Sequence, residues 1–356
     1  MIWRLFAIRI CALLIWCFFL IVVLEIVGFI YFQLPFVKPI GGYGYPRELF
    51  VAKNGVDYGY QPGYKGEFLG GGYKDALIQI NSHGFRDTEF PIEKSNRKRL
   101  FVLGDSVVFG AGVGQRERFT EYLEELQEQK KNPLEIFNLG VSGYSYWHYA
   151  RLLELPLIDE LRPDALLVAF TLNDIQQRDS VWPTKMLKIR EQQQTIQRWE
   201  EKIRFWMDDL YSIQLLKQFR QQLLFYRMTH DEQEAYHTKW MRKQRSNWEN
   251  EVILGWMQDN IQRSLEIAKA HNIPLAIIIL PEMNDLKDPE QFGWARNRLY
   301  HYLNKVKIPF CDLHKRFRKV PPWEPYFLSG DSLHFSQEGH RLAARFIADC
   351  LDQFGY

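Results

Sequence analysis

The chain has 356 residues, of which 25% are charged, and its formal net charge is +2 at pH 7. This near balance gives no electrostatic basis for nucleic-acid binding, and the length allows one large folded domain with additional segments. The nine histidines contain no His-Glu-x-x-His spacing and the four cysteines form no Cys-x-x-Cys pair, so we predict neither a metal nor another cofactor.

The first predicted element is a membrane helix. Residues 10–32 are apolar apart from Glu25, and about 20 such residues are enough to span a membrane. A cleaved signal peptide normally has a shorter apolar region and a small-residue cleavage site, so we interpret 1–35 as a single uncleaved anchor. Arg4 and Arg9 favour a cytoplasmic N-terminus, which places the rest of the chain in the periplasm or at the cell surface. Glu25 either contacts a membrane protein partner or lies shallow enough to reach the interface.

A segment rich in glycine and tyrosine, 36–98, follows the anchor and is expected to pack on the folded core. The apolar stretch 76–80 predicts one short strand within it. The polar stretch 81–87 has two interpretations. It is either an ordered turn packed on the core, which we favour, or a loop that presents Arg86 to a substrate.

Strands and helices alternate from residue 99 onward. An apolar run at 100–103 ends in Gly104-Asp105-Ser106, which places a hydroxyl at the carboxyl end of a buried strand. Further strands are predicted at 134–138, 165–170, 274–280 and 307–310, and helices at about 116–129, 147–159, 248–270, 289–305 and 337–353. This alternation favours a parallel sheet with helices on both faces.

A long excursion interrupts the alternation between the third and fourth strands. We assign 176–250 as a helical insertion, rich in Gln, Lys, Arg, Glu and Trp. Its apolar positions recur at helical spacing, which favours two or three helices packed on the core. The functional alternative is a lid over a binding site or a face near the membrane surface.

Two of the four cysteines lie in the predicted folded domain. Cys311 follows the last predicted strand, and Cys350 lies on the final predicted helix. They can pair in an oxidising compartment, but two buried free thiols are equally compatible with the sequence.

Polar residues follow the first three core strands, and a further group lies near the C-terminus. A serine hydroxyl such as that of Ser106 becomes a nucleophile when an adjacent base takes its proton, and histidine suits that task. Asp331 precedes His334 by three residues, so its carboxylate can orient the imidazole. Asn173 can donate to an oxyanion without carrying charge. Singly, each has an ordinary explanation, such as a helix cap at Asn173 or a surface histidine at 334.

In chain order and approximate spacing, these segments resemble the SGNH (GDSL-type) hydrolase family over residues 99–349. The resemblance implies a three-layer α/β/α, flavodoxin-like parallel sheet for 99–356. It implies that Ser106 is the nucleophile, His334 the general base and Asp331 the acid that orients His334. The oxyanion donors that it implies are the backbone N–H groups of Ser106 and Gly143 and the side-chain amide of Asn173.

The chain also departs from the family pattern. The position two before Asn173, often glycine in the family, is Thr171 here, so the shape of the pocket floor is expected to differ. The stretch 81–87 resembles a segment that precedes the Gly-Asp-Ser strand in some membrane-anchored bacterial members. No Gly-x-Ser-x-Gly elbow surrounds Ser142, which argues against an α/β-hydrolase fold.

These observations predict a membrane-anchored serine enzyme of acyl-ester chemistry. With water as the acceptor it is an esterase, and O-acetylated envelope or extracellular polysaccharide is the substrate class that the resemblance favours. With a sugar hydroxyl as the acceptor it is an O-acyltransferase. The anchor and the Trp-rich insertion also suit a lipid or lysophospholipid substrate. A hypothesis of another class is a non-catalytic domain that binds a glycan or a membrane acyltransferase through Glu25 and the insertion.

Overall fold

The computed structural model describes residues 2–33, 45, 49–68, 76–128, 130–175, 210, 241–328 and 331–356. Most of the predicted insertion, including its lid or membrane-face alternative, therefore lies outside the described residues. The chain divides into two compact units, one formed by Met1–Gly42 and Ile189–Tyr236 and the other by Tyr43–Lys188 and His237–Tyr356.

The first unit contains helix α1 (Ile2–Gln33). Its segment Cys11–Ile30 is long and apolar enough for a membrane anchor or a signal sequence. Every side chain from Cys11 to Val22 is exposed. An exposed apolar surface of this size is typical of a segment that contacts a membrane or another protein.

Two antiparallel hairpins lie at the start of the second unit. In the first, β1 (Phe50–Lys53) pairs with β2 (Asp57–Tyr60); in the second, β3 (Lys65–Glu67) pairs with β4 (Leu77–Gln79). The sequence predicts only the last of these four strands. Gly55 lies in the turn of the first hairpin with a φ of +87°, a conformation that glycine adopts without steric cost.

Five parallel strands form the main sheet: β5 (Lys98–Gly104), β6 (Leu134–Gly140), β7 (Ala165–Phe170), β8 (Leu275–Ile279) and β9 (Phe310–Asp312). Their spatial order is β6-β5-β7-β8-β9, which is the flavodoxin-like order that the family resemblance implies. All residues of β7 and β8 are buried, as a parallel sheet covered on both faces requires.

Helices cover both faces of this sheet. Phe101 and Leu103 enter one apolar cluster, whereas Leu100 and Val102 enter another, because successive side chains of a strand point to opposite faces. The helices are α2 (Ser106–Phe109), α3 (Phe119–Gln127), α4 (Tyr146–Leu153), α5 (Leu157–Leu161), α6 (Glu251–Ala270), α7 (Met283–Lys287), α8 (Gly293–Val306), α9 (Leu313–Phe317) and α10 (Gln337–Phe354). Residues 241–249 are also helical. The predicted α/β/α layering is confirmed.

Two element boundaries differ from the prediction for local reasons. The strand predicted at 307–310 begins only at Phe310, because Lys307 ends α8 in a left-handed conformation with a φ of +60°. The single helix predicted at 147–159 is two helices, α4 and α5, with Pro156 between them. Proline lacks the N–H that would continue the first helix.

A disulfide joins the edge strand β9 to the last helix. Its cysteines, Cys311 and Cys350, have Cα atoms 6.1 Å apart and are separated by 39 residues in the sequence. Both lie in the apolar cluster that covers this face of the sheet. A crosslink that closes a loop of this length stabilises a fold by about 4 kcal/mol in the chain-entropy description.

We expect Cys350→Ser to lower the midpoint of thermal unfolding by roughly 5–10 °C, since the crosslink no longer restricts the unfolded chain. Thermal unfolding followed by circular dichroism measures this effect, with a reductant added to the wild-type chain as a second route to the same state. Cys11 and Cys17 lie in α1 and are free. Their replacement by serine is the control and should leave the reductant effect unchanged. An equal midpoint with and without reductant would contradict a stabilising disulfide.

Candidate active site

The strand-to-helix turn after β5 sets the position of Ser106. The Asp105 carboxylate accepts a hydrogen bond of 2.9 Å from the Val107 N–H and thereby caps α2, whose first residue is Ser106. The first N–H groups of a helix have no partner within the helix. The Ser106 N–H is therefore free of the helical hydrogen bonds, and its side chain lies at the carboxyl edge of the sheet.

Two glycines allow α2 to lie directly against the sheet. A Cβ added at Gly104 would lie 2.1 Å from Val108 Cγ2, and one added at Gly140 would lie 2.3 Å from the Phe109 backbone nitrogen. Both distances are far shorter than van der Waals contact. Glycine at the ends of β5 and β6 is thus what permits the close approach of the Ser106 helix.

The structure brings Ser106, His334 and Asp331 into one chain of hydrogen bonds. Ser106 Oγ lies 2.7 Å from His334 Nε2, and His334 Nδ1 lies 2.7 Å from Asp331 Oδ2. The second oxygen of Asp331 accepts hydrogen bonds from the backbone N–H groups of Leu333 and His334, at 2.8 and 3.1 Å. These bonds fix the carboxylate, which in turn fixes the orientation of the imidazole.

Burial and charge act in opposite directions on this pair. His334 is 2% exposed, and burial alone would lower the pKa of its imidazole, but the charge of Asp331 and the hydrogen bond to it raise the pKa above the ordinary value of 6.5. Burial would likewise raise the pKa of Asp331. The facing His334 and the two backbone N–H groups hold that pKa well below its usual range instead. Asp331 therefore stays a carboxylate at neutral pH.

If His334 is the general base that the family resemblance implies, its raised pKa sets the pH dependence of the rate. A general base must be unprotonated at Nε2 to take the Ser106 proton, so kcat/KM should fall as the pH drops through the His334 pKa. We expect a single acidic limb with its midpoint above the ordinary histidine value, 6.5. Initial rates of ester hydrolysis between pH 4 and 9 measure it. A midpoint near the ordinary carboxylate range, about 4, would show that another group is the base.

Gly143 and Asn173 lie at the ends of the strands that flank β5. Gly143 follows β6 and is exposed with a φ of +79°, and Asn173 lies in the 3₁₀ turn Leu172–Ile175 that follows β7. Among the described residues, the Gly143 N–H donates no hydrogen bond. Because carboxyl ends of parallel strands share one edge of the sheet, both residues lie at the same edge as Ser106.

Thr171 occupies the position that is often glycine in the family, and its side chain contacts Asn173. Its buried hydroxyl lies within hydrogen-bonding distance of the Asn173 amide oxygen and 3.1 Å from Asp174 Oδ1. It also lies 3.3 Å from Asp105 Oδ2, and burial raises the pKa of both aspartates. The Asn173 oxygen faces Thr171, and the amide NH₂ group keeps two hydrogens that can donate; a hydrogen bond from Asn173 to Asp105 lowers the pKa of that carboxyl against the effect of burial. A threonine here thus supports the Asn173 amide.

Two buried side chains that do not lie at the strand ends support the site through hydrogen bonds to the backbone, Arg86 and Trp248. The fully buried Arg86 guanidinium donates to the backbone carbonyls of Phe109 and Gly110 at the C-terminal end of α2. The stretch 81–87 therefore packs on the core as an ordered segment, with the Arg86 guanidinium buried and bonded to the backbone. The Trp248 indole N–H donates to the Leu172 carbonyl at 2.9 Å and so supports the turn that carries Asn173. Nothing in the local sequence of either residue indicates these long-range bonds.

A metal-binding cluster of His, Cys, Asp or Glu side chains is absent from the described ranges. The titratable groups at the site are instead those of the hydrogen-bonded chain from Ser106 to Asp331 and the buried carboxyls beside it. The arrangement suits activation of a hydroxyl nucleophile and stabilisation of a nearby oxyanion.

Comparison with known proteins agrees with this chemistry. A model of the GDSL-like lipase/acylhydrolase family matches residues 102–342, whereas no curated protein sequence matches the chain. Among solved structures, the psychrotrophic esterase EstA from Pseudoalteromonas sp. shares 13% identity over 73% of this chain and 98% of its own, with a TM-score of 0.42. A lipase/acylhydrolase from Enterococcus faecalis shares 14% identity over 71% and 94%, with a TM-score of 0.39. At these identities the likeness concerns the fold alone.

Proposed function

Since this chain belongs to the GDSL-like lipase/acylhydrolase family, we propose that it is a serine esterase in which Ser106 is the nucleophile, His334 the general base and Asp331 the orienting acid. Membership of this family implies an esterase or acylhydrolase activity. The assignment of these three residues rests on one observation, the two consecutive 2.7 Å contacts that link the Ser106 hydroxyl to the Asp331 carboxylate through His334.

The proposed reaction begins when His334 Nε2 takes the Ser106 proton as Oγ attacks the ester carbonyl. The carbonyl oxygen becomes an oxyanion, for which the N–H groups of Ser106 and Gly143 and the Asn173 amide are the proposed donors. The imidazolium then gives its proton to the departing alcohol, and an acyl-enzyme forms on Oγ. Water then attacks the acyl group as His334 takes one of its protons, and the imidazolium returns that proton to Ser106 Oγ as the bond to the acid breaks.

We further propose that α1 anchors the enzyme and that the catalytic unit acts outside the cytoplasm. Two observations support this location: the exposed apolar segment Cys11–Ile30 and the disulfide between Cys311 and Cys350, since disulfides persist in oxidising compartments. Glu25 within that segment is the residue that we expect a membrane partner to contact. An anchored enzyme in this location meets envelope and extracellular polymers, so O-acetylated polysaccharide is the substrate class we propose.

The test compares three activities of the purified full-length chain in detergent. Acetate release from an O-acetylated polysaccharide is measured beside fatty-acid release from a lysophospholipid. In the third assay, 4-nitrophenyl acetate and a sugar acceptor are incubated together, and the acetylated sugar is sought by mass spectrometry. Ser106→Ala is the control in all three assays. We expect acetate release that depends on Ser106 and exceeds the other two activities.

The alternative outcomes identify the alternative functions. Faster Ser106-dependent release of fatty acid would replace the polysaccharide by a lipid substrate. Ser106-dependent formation of the acetylated sugar, without net acetate release, would make the protein an O-acyltransferase. No Ser106-dependent turnover of any of the three, including 4-nitrophenyl acetate, would overturn the esterase proposal and favour a non-catalytic binding role.

A further inference from the structure

Three tyrosine hydroxyls converge on Ser142, the residue directly before Gly143. Tyr58 Oη donates to the Ser142 carbonyl oxygen at 3.0 Å, and the Ser142 N–H donates to Tyr60 Oη at 2.7 Å. Tyr45 Oη lies 2.7 Å from Ser142 Oγ. Every hydrogen-bonding group of Ser142 is thus engaged by a tyrosine that precedes it by more than 80 residues in the sequence.

Ser142 and Gly143 are the central residues of a β-turn. The Tyr144 N–H donates to the Val141 carbonyl at 3.0 Å, and Gly143 has a φ of +79°, close to the value for the third residue of a type II turn. In a type I turn the same residue has a negative φ and the central peptide faces the opposite way. Glycine tolerates both signs of φ, so the sequence of the turn alone does not fix the direction of this peptide.

The central peptide contains both the Ser142 carbonyl and the Gly143 N–H. A trans peptide is planar, so these two groups point in opposite directions. The hydrogen bond from Tyr58 Oη to the Ser142 carbonyl therefore also sets the direction of the Gly143 N–H. We propose that Tyr58 is a positioning residue of the oxyanion hole, which keeps the Ser142–Gly143 peptide in the orientation that presents the Gly143 N–H to the oxyanion. This inference rests on the esterase function proposed above.

The packing around Tyr58 makes it suitable for this role. Its side chain is fully buried on β2 and packs edge-on against Tyr144 and His148, with ring centroids 5.2 and 5.6 Å apart. Burial raises the pKa of Tyr58 well above its ordinary value, so the hydroxyl keeps the proton that it donates. On the same strand, Tyr60 packs on Phe109, the last residue of the Ser106 helix, with centroids 4.9 Å apart. The hairpin therefore contacts both the nucleophile helix and the Gly143 turn.

If the Ser142–Gly143 peptide faced the opposite way, the reaction would slow for two reasons. The oxyanion would lose the Gly143 N–H, and the Ser142 carbonyl oxygen would face it with partial negative charge. Loss of one oxyanion donor lowers the rate by about 100- to 1000-fold. Tyr58→Phe keeps the ring and removes only the hydroxyl, so the turn populates both orientations. We expect kcat to fall by about 5- to 100-fold, within that limit, with KM changed by less than about threefold.

The experiment measures kcat and KM for 4-nitrophenyl acetate with the full-length wild type, Tyr58→Phe and Ser106→Ala. A phenylboronic acid supplies a second readout, because its tetrahedral serine adduct places an oxygen at the oxyanion position. The affinity of Tyr58→Phe for the boronic acid should weaken by about the same factor as its kcat falls. A general loss of stability would not change kcat and boronate affinity by the same factor. Thermal unfolding shows whether each variant is folded at the assay temperature.

Two further variants separate positioning from packing. Tyr302 lies on α8, and its hydroxyl donates to the Gln258 carbonyl at 2.7 Å. Tyr302→Phe therefore removes a tyrosine hydroxyl that does not contact Ser142, and it should keep wild-type kcat. Gly143→Ala disfavours the left-handed φ and acts on the same peptide. Its effect on kcat should therefore combine with that of Tyr58→Phe less than multiplicatively.

The outcomes for the two proposals are distinguishable. If the wild type has no activity above Ser106→Ala, the esterase function itself fails. If the wild type is active and Tyr58→Phe matches its kcat and its boronate affinity, the positioning role is overturned. It is also overturned if Tyr302→Phe loses as much activity as Tyr58→Phe, or if the effects of Tyr58→Phe and Gly143→Ala multiply in full.

Discussion

Replacing Ser106 with alanine is expected to lower kcat for ester hydrolysis by about 10⁵- to 10⁶-fold, the loss that removal of a serine nucleophile typically causes. The physical reason is that Oγ is the only atom of Ser106 that can form the acyl-enzyme bond, and it is the hydroxyl that lies 2.7 Å from His334 Nε2. Initial rates with 4-nitrophenyl acetate measure this loss. Intact mass after treatment with a fluorophosphonate probe shows directly whether a single adduct forms on Ser106.

A second buried serine provides a matched control. Ser264 is fully buried on α6 and donates to the Asn260 carbonyl at 3.0 Å, so Ser264→Ala removes a comparable hydroxyl away from the site. It should keep both the adduct and the rate. An adduct on the Ser106→Ala variant would place the nucleophile elsewhere. A folded wild type that forms no adduct would favour the binding hypothesis over the enzyme.

The main sheet could be predicted from the sequence because its strands are buried on both faces. Runs such as 100–103 and 165–170 are continuously apolar and end in small or polar residues, a pattern that few surface segments share. Parallel strands also align their carboxyl ends. A polar residue after each of three strands therefore predicts a cluster at one edge without knowledge of the strand order.

The first two hairpins could not be predicted in the same way. Their strands are only three or four residues long, and β1 and β2 alternate buried and exposed positions only in part. What holds β2 in place is the contact of its tyrosines with Ser142, more than 80 residues away in the chain. A local pattern contains no information about such a partner. The Asn-Gly dipeptide at 54 and 55, followed by alternating tyrosines, was the one local indication of a hairpin.

In the candidate site, too, local contacts could be predicted from the sequence and long-range contacts could not. The spacing of Asp331 and His334 already predicts their contact, because three residues bring two side chains onto one turn. The contact of His334 with Ser106 spans 228 residues, and only the family resemblance links the two in the sequence. Tyr58 and Trp248 donate hydrogen bonds next to the proposed oxyanion donors Gly143 and Asn173, and both lie outside the motifs that carry the resemblance. Their partners, Ser142 and Leu172, are distant from them in the sequence.

Replacing Asp331 with asparagine is expected to lower kcat by about 10⁴-fold, as for other serine enzymes that lose the orienting carboxylate. An amide that donates to His334 Nδ1 favours the tautomer with its hydrogen on Nε2, which then cannot take the Ser106 proton. The imidazolium also loses the charge that stabilises it. Since the charge of Asp331 and its hydrogen bond raise the His334 pKa against the effect of burial, that pKa should fall in the variant. The acidic limb of the residual activity should therefore move to lower pH.

The pH profile distinguishes this mechanism from simple loss of stability. A destabilised enzyme with an intact base would lose activity at every pH and keep its midpoint, whereas loss of the carboxylate must move it. The exposed pair of Asp159 and His271, whose Oδ1 and Nδ1 atoms lie 3.6 Å apart, supplies the control. Asp159→Asn should change neither the rate nor the midpoint. If Asp331→Asn retains a rate within about tenfold of the wild type, or if its acidic limb stays in place, the carboxylate does not tune His334 and the base must be sought elsewhere.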